Sequence, residues 1–269
     1  MQDYAEIQAM SYLSLWQEIM DEGTIITPRG SEVREIEDLQ LNVNPHVPFM
    51  SFEDRNYDIK YFKKEMLWKL GANKYDDSIE QYAKMWKDVK NPDGTFNSNY
   101  GQYWFGEQHG IWDVATELIR DNDSRRAVIP MLNASHMAPH IRDTVCTECV
   151  GFRIRNNRLN MSVHMRSSDA IFGLGTDIPT FAFLFRLVFN LVKYNTPINI
   201  FPGIITITSM SSHIYSRHYK MVEAILAKGV NGFRYEPMPL NINSIMAIAS
   251  RGNESILEHA GELGVWLCA

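Results

Sequence analysis

Between Ile178 and Val192 the chain is apolar almost all the way round a helical wheel, with only Arg186 and Asn190 as strongly polar interruptions. A helix of that composition has no polar face to give to water, so other elements must cover it on every side. The run also falls short of the roughly 20 residues that span a bilayer, so a central core helix is expected. Its neighbours read mainly as strands. Residues 31–44 alternate, and the runs 127–133, 145–155 and 158–166 are β-rich, the last two joined at Asn156-Asn157 as a hairpin. Another β-rich run covers 198–209. Helices are expected from the N-terminus to Met20, over 59–70, 78–88 and 108–120, and from about His213 to Leu226. In the second of these, Ile59, Phe62, Met66 and Leu70 recur at helical spacing and Gly71 is the stop. Helices and strands without regular alternation predict an α+β fold, a large mixed sheet packed with helices. No linker, repeat or low-complexity stretch divides the 269 residues, so a single domain over 1–269 is expected.

A net charge of −6 argues against a nucleic-acid or membrane-surface binder, which needs a basic face. An anionic ligand would have to be met by a local arginine cluster. Cys146, Cys149 and Cys268 make an odd count that suggests no disulfide framework, and the acidic N-terminus lacks the apolar core of a signal peptide. A reducing, cytoplasmic setting is expected.

Several segments carry chemistry. Cys146, in Asp143-Thr-Val-Cys-Thr-Glu-Cys149, is a candidate nucleophile, although an isolated cysteine is more often a buried structural one. Cys146 and Cys149 have redox-pair spacing, yet residues three apart in a strand point to opposite faces. Arg29, Arg125, Arg126 and Arg166 are candidate phosphate ligands, since a planar fork of donors matches a phosphate, and Ser167 adds a hydroxyl. Any one arginine is ordinarily a solvated surface charge. His213-Ile-Tyr-Ser-Arg-His218 lacks the glutamate and the spacing of a zinc-binding H-E-x-x-H, and no metal is expected.

The order of these segments, from Arg29 through Glu65, Tyr100, Arg125-Arg126, Cys146, Arg166-Ser-Ser-Asp169 and Asp177 to His213-Ile-Tyr215, resembles the thymidylate synthase superfamily across roughly residues 10–228. Within it, Cys146-Thr147, Asn97-Ser-Asn-Tyr-Gly101 and His213-Ile-Tyr-Ser-Arg-His218 lean toward the deoxycytidylate hydroxymethylase branch. The resemblance implies that Cys146 adds to carbon 6 of a pyrimidine nucleotide and that Glu65 is the general acid/base. It assigns Tyr100 to ordering water or taking the carbon 5 proton. Arg29, Arg166 and Ser167 would bind phosphate, with Arg125 and Arg126 reaching across a homodimer to the partner's nucleotide. His213 and Tyr215 would hold the sugar 3′-hydroxyl. Asp169, Gly173 and Trp86 would line the cleft for 5,10-methylenetetrahydrofolate, the co-substrate. A cytoplasmic location, the host's for a viral chain, goes with this reading. Glu65, at the border of an apolar helix face, is expected to titrate higher than usual.

The same resemblance implies that Asp177 occupies the position that reads the base. Cytosine offers a ring nitrogen acceptor and an amine donor, which a carboxyl group suits, whereas uracil's edge suits an amide. Asp177 is therefore expected to select dCMP and to disfavour dUMP. It can equally be an N-terminal helix charge, with Pro179 beside it in the first turn. Departures from the family are Thr147 for histidine, Gly151-Phe152 for Gln-Phe, Met210-Ser211 for Gly-Asp and Met131-Leu132-Asn133 for Ala-Trp-Asn. Water addition to give 5-hydroxymethyl-dCMP is the expected outcome. A dCMP methylase using hydride transfer and a CMP hydroxymethylase share nearly every motif, and a catalytically silent binding relative would not need Cys146 and Glu65 together. The last forty residues, with Trp266, resemble nothing identifiable.

Overall fold

In a computed structural model the described residues are 2–49, 51–55, 57–106, 110–234, 238 and 266–267. Cys268 and most of the last forty residues lie outside them. The chain runs α1 (Gln2–Glu22), β1 (Thr24–Ile26), β2 (Val33–Val43), β3 (Ser51–Phe52), α2 (Ile59–Leu70), α3 (Met85–Val89), α4 (Gly101–Phe105) and α5 (Gly110–Arg120). It continues β4 (Val128–Pro130), β5 (Thr147–Arg155), β6 (Arg158–Met165), β7 (Ser168–Asp169), α6 (Gly173–Asn195), β8 (Phe201–Tyr215), α7 (Tyr219–Lys228) and β9 (Phe233–Arg234). Seven of the strands make a mixed sheet, and β3 pairs with β9 in a separate two-stranded one. This is the expected α+β architecture.

Two compact units organise these elements. The first comprises 1–57, 162–183 and 203–238, and the second 58–161, 184–202 and 239–269. In the first, β2 lies antiparallel to both β1 and β8, and the short β7 runs parallel to β8. On β8 the odd positions Ile205 and Ile207 are buried, while Ile204 and Met210 on the opposite face are 45% and 56% exposed. Helix α1 packs its buried Tyr12, Trp16 and Ile19 into this unit, and the Trp16 indole N–H donates to the Ala170 carbonyl at 2.9 Å. In the second unit, β4 lies antiparallel to β5. Asn156 and Asn157 both take left-handed φ, 51° and 56°, as a two-residue hairpin turn between β5 and β6 requires.

Some boundaries differ from expectation. Helix α6 starts at Gly173 and carries Pro179 inside it. Asp177 is therefore in the second helical turn, and the idea that it sits with Pro179 at a helix start is corrected. At 23 residues α6 is long and apolar enough to cross a membrane, so length does not decide; burial of 78% of its most apolar stretch does, and it is a core helix. The expected helix over 78–88 is broken into a single 3-10 turn, Ser78–Gln81, and the short α3. Strand β8 continues to Tyr215, so His213 and Tyr215 are strand residues and the following helix begins at Tyr219. Strand β5 begins at Thr147, leaving Cys146 on the bend before it. The two-face argument against pairing Cys146 with Cys149 therefore loses its premise, since only Cys149 lies in the strand.

Candidate active site

The nucleophile candidate belongs to the second unit, on a loop tied down by buried hydrogen bonds. The Asp143 carboxylate, buried, accepts from the Ser98 N–H at 2.8 Å and the Ser98 hydroxyl at 2.5 Å. The Asn97 amide donates to the Asp143 carbonyl at 2.8 Å, and the Arg142 and Asp143 N–H groups both donate to the Asn91 side-chain oxygen. The Thr144 hydroxyl donates to the His136 carbonyl at 3.0 Å. Held this way, Cys146 is half-buried. Cys149 is also half-buried; burial, then the neighbouring Glu148, pushes its thiol up and makes it a poor thiolate.

Behind Cys146 a chain of contacts leads to Glu65. Thr147, fully buried, donates its hydroxyl to the Tyr100 phenol oxygen at 3.0 Å. The Tyr100 ring faces the Lys69 ammonium, 4.9 Å from its centroid. Lys69 in turn pairs with Glu65 at 2.6 Å. Glu65 is 6% exposed, so it lies inside the helix's buried face and not at its border. Its nearest charged partner there is the Lys69 ammonium, and not the apolar side chains of the helix face alone.

Local sequence explains this geometry. Asp58 caps α2 by accepting from the Tyr61 N–H at 2.9 Å. At the other end, the buried Asn99 amide donates to the Trp68 and Asn73 carbonyls at 3.1 and 3.2 Å. Gly101 packs so closely on α2 that a Cβ would lie 1.5 Å from the Lys69 carbonyl oxygen, so only glycine fits. Asn99-Tyr100-Gly101 is thus a docking motif that brings the phenol against the last turn of α2.

The remaining second-unit candidates are less open. Trp86 is 5% exposed, packed tilted against Trp68 and edge-on against Phe96 in an aromatic cluster, and its N–H donates to the Tyr61 hydroxyl at 2.9 Å. It offers a ligand an edge at most, a departure from the wall expected of it. Arg125 and Arg126 are exposed. Arg126 is held by Glu117 at 3.1 Å, as is Arg120 at 2.6 Å. The Ser124 hydroxyl first, then Arg120, hold the Glu117 carboxyl at about 2.

In the first unit two separated motifs meet. Strand β7 sets Asp169 opposite His213 on β8, and the Ala170 N–H donates to the His213 carbonyl at 2.8 Å. His213 and Tyr215, two apart on one strand, share a face with their rings 5.2 Å apart. Burial lowers the His213 pKa, while Asp169 and Glu35 oppose that. Its Nδ1 lies 3.3 Å from the Ser211 hydroxyl, which donates to the Glu35 carboxylate. Arg29 stands exposed in a 3-10 turn at φ 51°, just before β2, whose Val33 pairs with Tyr215. Arg166 and Ser167 follow β6 directly, both half-buried, as is Asp177 on α6. The Asp169 carboxylate accepts from the Ile171 and Phe172 N–H groups at 2.9 and 3.3 Å through one oxygen, Oδ1.

The thymidylate synthase family model matches residues 10–250. The chain belongs to that family. It is similar to the deoxycytidylate 5-hydroxymethyltransferase of Enterobacteria phage T4, 28% identical over 172 residues, covering 61% of this chain and 70% of that protein. A putative thymidylate synthase of Methanosarcina barkeri is 29% identical over 217 residues, 79% of this chain and 88% of the relative. The deoxyuridylate hydroxymethyltransferase of Bacillus phage SP01 is 24% identical over 177 residues, 60% and 46% of the two. As a member of the thymidylate synthase family, the protein is an enzyme, a folate-dependent pyrimidine one-carbon transferase.

The residues present fit a folate in part. With Oδ1 of Asp169 engaged by backbone, Oδ2 can accept from a pterin N–H. At Gly173 a Cβ would come within 3.1 Å of Asp169 Cβ, so glycine keeps that approach open. Phe172 supplies an exposed aromatic face beside them, with the buried Arg55 guanidinium 5.2 Å from its ring. Among the described residues no cluster of three or more metal-ligating side chains occurs. Sequence reasoning missed Lys69, Asp143, Arg55 and Phe172. Only Lys69 carried a signal, its i,i+4 spacing from Glu65.

Proposed function

We propose that the enzyme is a dCMP 5-hydroxymethyltransferase, converting dCMP, 5,10-methylenetetrahydrofolate and water into 5-hydroxymethyl-dCMP and tetrahydrofolate. Asp177 carries this reading. It is a half-buried carboxylate at the base-reading position of a family whose uracil-specific members need an amide there. The T4 relative, named for deoxycytidylate, supports cytosine as the base.

Arg29, Arg166 and Ser167 bind the phosphate, His213 and Tyr215 the 3′-hydroxyl, and Asp177 the base edge. Cys146 adds as thiolate to carbon 6, which makes carbon 5 nucleophilic. The folate supplies a one-carbon unit at the oxidation level of formaldehyde, held with the help of Asp169, Gly173 and the edge of Trp86. Glu65 and Tyr100 move the proton lost from carbon 5, and water, not hydride, completes the transfer. The chain acts as a homodimer, with Arg125 and Arg126 serving the partner's phosphate. Exposed Ile204 and Met210 on the open face of β8 are suited to such an interface.

Steady-state kinetics on dCMP and dUMP test the base assignment. Leaving a buried polar group unpaired costs about 1–3 kcal/mol, so Asp177→Asn should lower the dCMP/dUMP ratio of kcat/KM by about tenfold to a hundredfold. A wild type that prefers dUMP, or an unchanged ratio in the variant, would remove Asp177 as base reader.

A further inference from the structure

A lysine in the last turn of a helix ordinarily lays its stem along the surface and leaves its ammonium in water. Lys69 does not. It is 2% exposed, with Nζ 2.6 Å from the Glu65 carboxylate one turn earlier and 4.9 Å from the centre of the Tyr100 ring. Burying a charge is costly unless it is paired, and an apolar side chain would fill the same space without that cost. The ammonium touches the two groups proposed to handle the carbon 5 proton. Tyr100, in turn, takes a hydrogen bond at 3.0 Å from Thr147, the residue after Cys146.

We propose that Lys69 is a positioning residue for proton transfer at carbon 5. It fixes the Glu65 carboxylate in one orientation by charge-assisted hydrogen bonding and braces the face of Tyr100, so that carboxylate and phenol keep a set distance. The departure from histidine at Thr147 fits this arrangement, because its small hydroxyl meets the phenol oxygen while the ammonium lies over the ring. The inference rests on the proposed role of Glu65.

Its test is a double-mutant cycle in the full-length enzyme, reading kcat, the Kd for dCMP and the melting temperature. Glu65→Gln should lower kcat by at least about a hundredfold, and Lys69→Met by about tenfold or more, with the Kd for dCMP within about threefold of wild type. Because the 2.6 Å pair makes Glu65 the main route of the Lys69 effect and the Tyr100 contact a minor one, adding Lys69→Met to Glu65→Gln should cost at most about threefold more. Losses that multiply in the double variant, or a Lys69→Met enzyme with wild-type kcat, would overturn the proposal. Full activity in Glu65→Gln would instead overturn the reading of Glu65 on which it depends. Should Lys69→Met show no cooperative melting, Lys69→Gln, which retains a donor to the carboxylate, replaces it in the cycle: a kcat loss absorbed by Glu65→Gln supports the proposal, and a loss that multiplies with it overturns it.

Discussion

Cys146 owes its candidacy to placement as well as chemistry. It is half-buried on a bend before β5, whereas burial and Glu148 push Cys149, three residues on, toward the unreactive thiol. Cys146→Ser is therefore expected to abolish turnover while leaving the Kd for dCMP within a few-fold of wild type, since phosphate, sugar and base contacts come from other side chains. Cys149→Ser should turn over at near the wild-type rate. Isothermal titration with dCMP alongside a turnover assay checks both, and a dead Cys149→Ser with an active Cys146→Ser would show that the nucleophile is Cys149.

At the scale of elements, the buried Asp143 carboxylate is one of the ties on the loop before Cys146, fastening it to Ser98. Asp143→Ala strands the Ser98 donors, so a loss of about 2–4 kcal/mol in unfolding free energy is expected, with kcat falling because the nucleophile loop loses an anchor. Chemical denaturation with the turnover assay decides it, and a loss below about 0.5 kcal/mol would mean the loop is held otherwise.

What was legible in the sequence follows from the same physics. Helix α2 was readable because Ile59, Phe62, Met66 and Leu70 recur at 3.6 spacing up to Gly71, and the β5–β6 hairpin because Asn-Asn accepts positive φ. The start of α6 was not, because proline usually marks a first turn, and Pro179 here sits inside the helix. His213 was placed in a helix because Tyr219 to Lys228 is genuinely helical and nothing local marks where β8 ends. The meeting of Asp169 with His213, 44 positions apart, depends on a two-residue parallel pairing that no local pattern encodes. Lys69 was overlooked because its burial is decided by Tyr100 and Gly101, thirty residues downstream.

At the scale of the whole molecule, the proposed homodimer makes a prediction that separate chains cannot satisfy. Arg126 is exposed and paired with Glu117, and the proposal gives it the partner's phosphate. Arg126→Ala and Cys146→Ser should each be inactive alone. Mixed and allowed to exchange subunits, they should regain about a quarter of wild-type activity, because half the dimers are mixed and one of their two sites escapes both lesions. No recovery after exchange has been verified by mass spectrometry would count against a shared site.

The central claim is that the one-carbon unit ends as a hydroxymethyl group on cytosine. The most direct measurement is the mass of the nucleotide formed from dCMP and 5,10-methylenetetrahydrofolate, with the oxidation state of the folate read from the same mixture. A product heavier than dCMP by CH2O together with tetrahydrofolate is expected. A product heavier by CH2 together with dihydrofolate would contradict it.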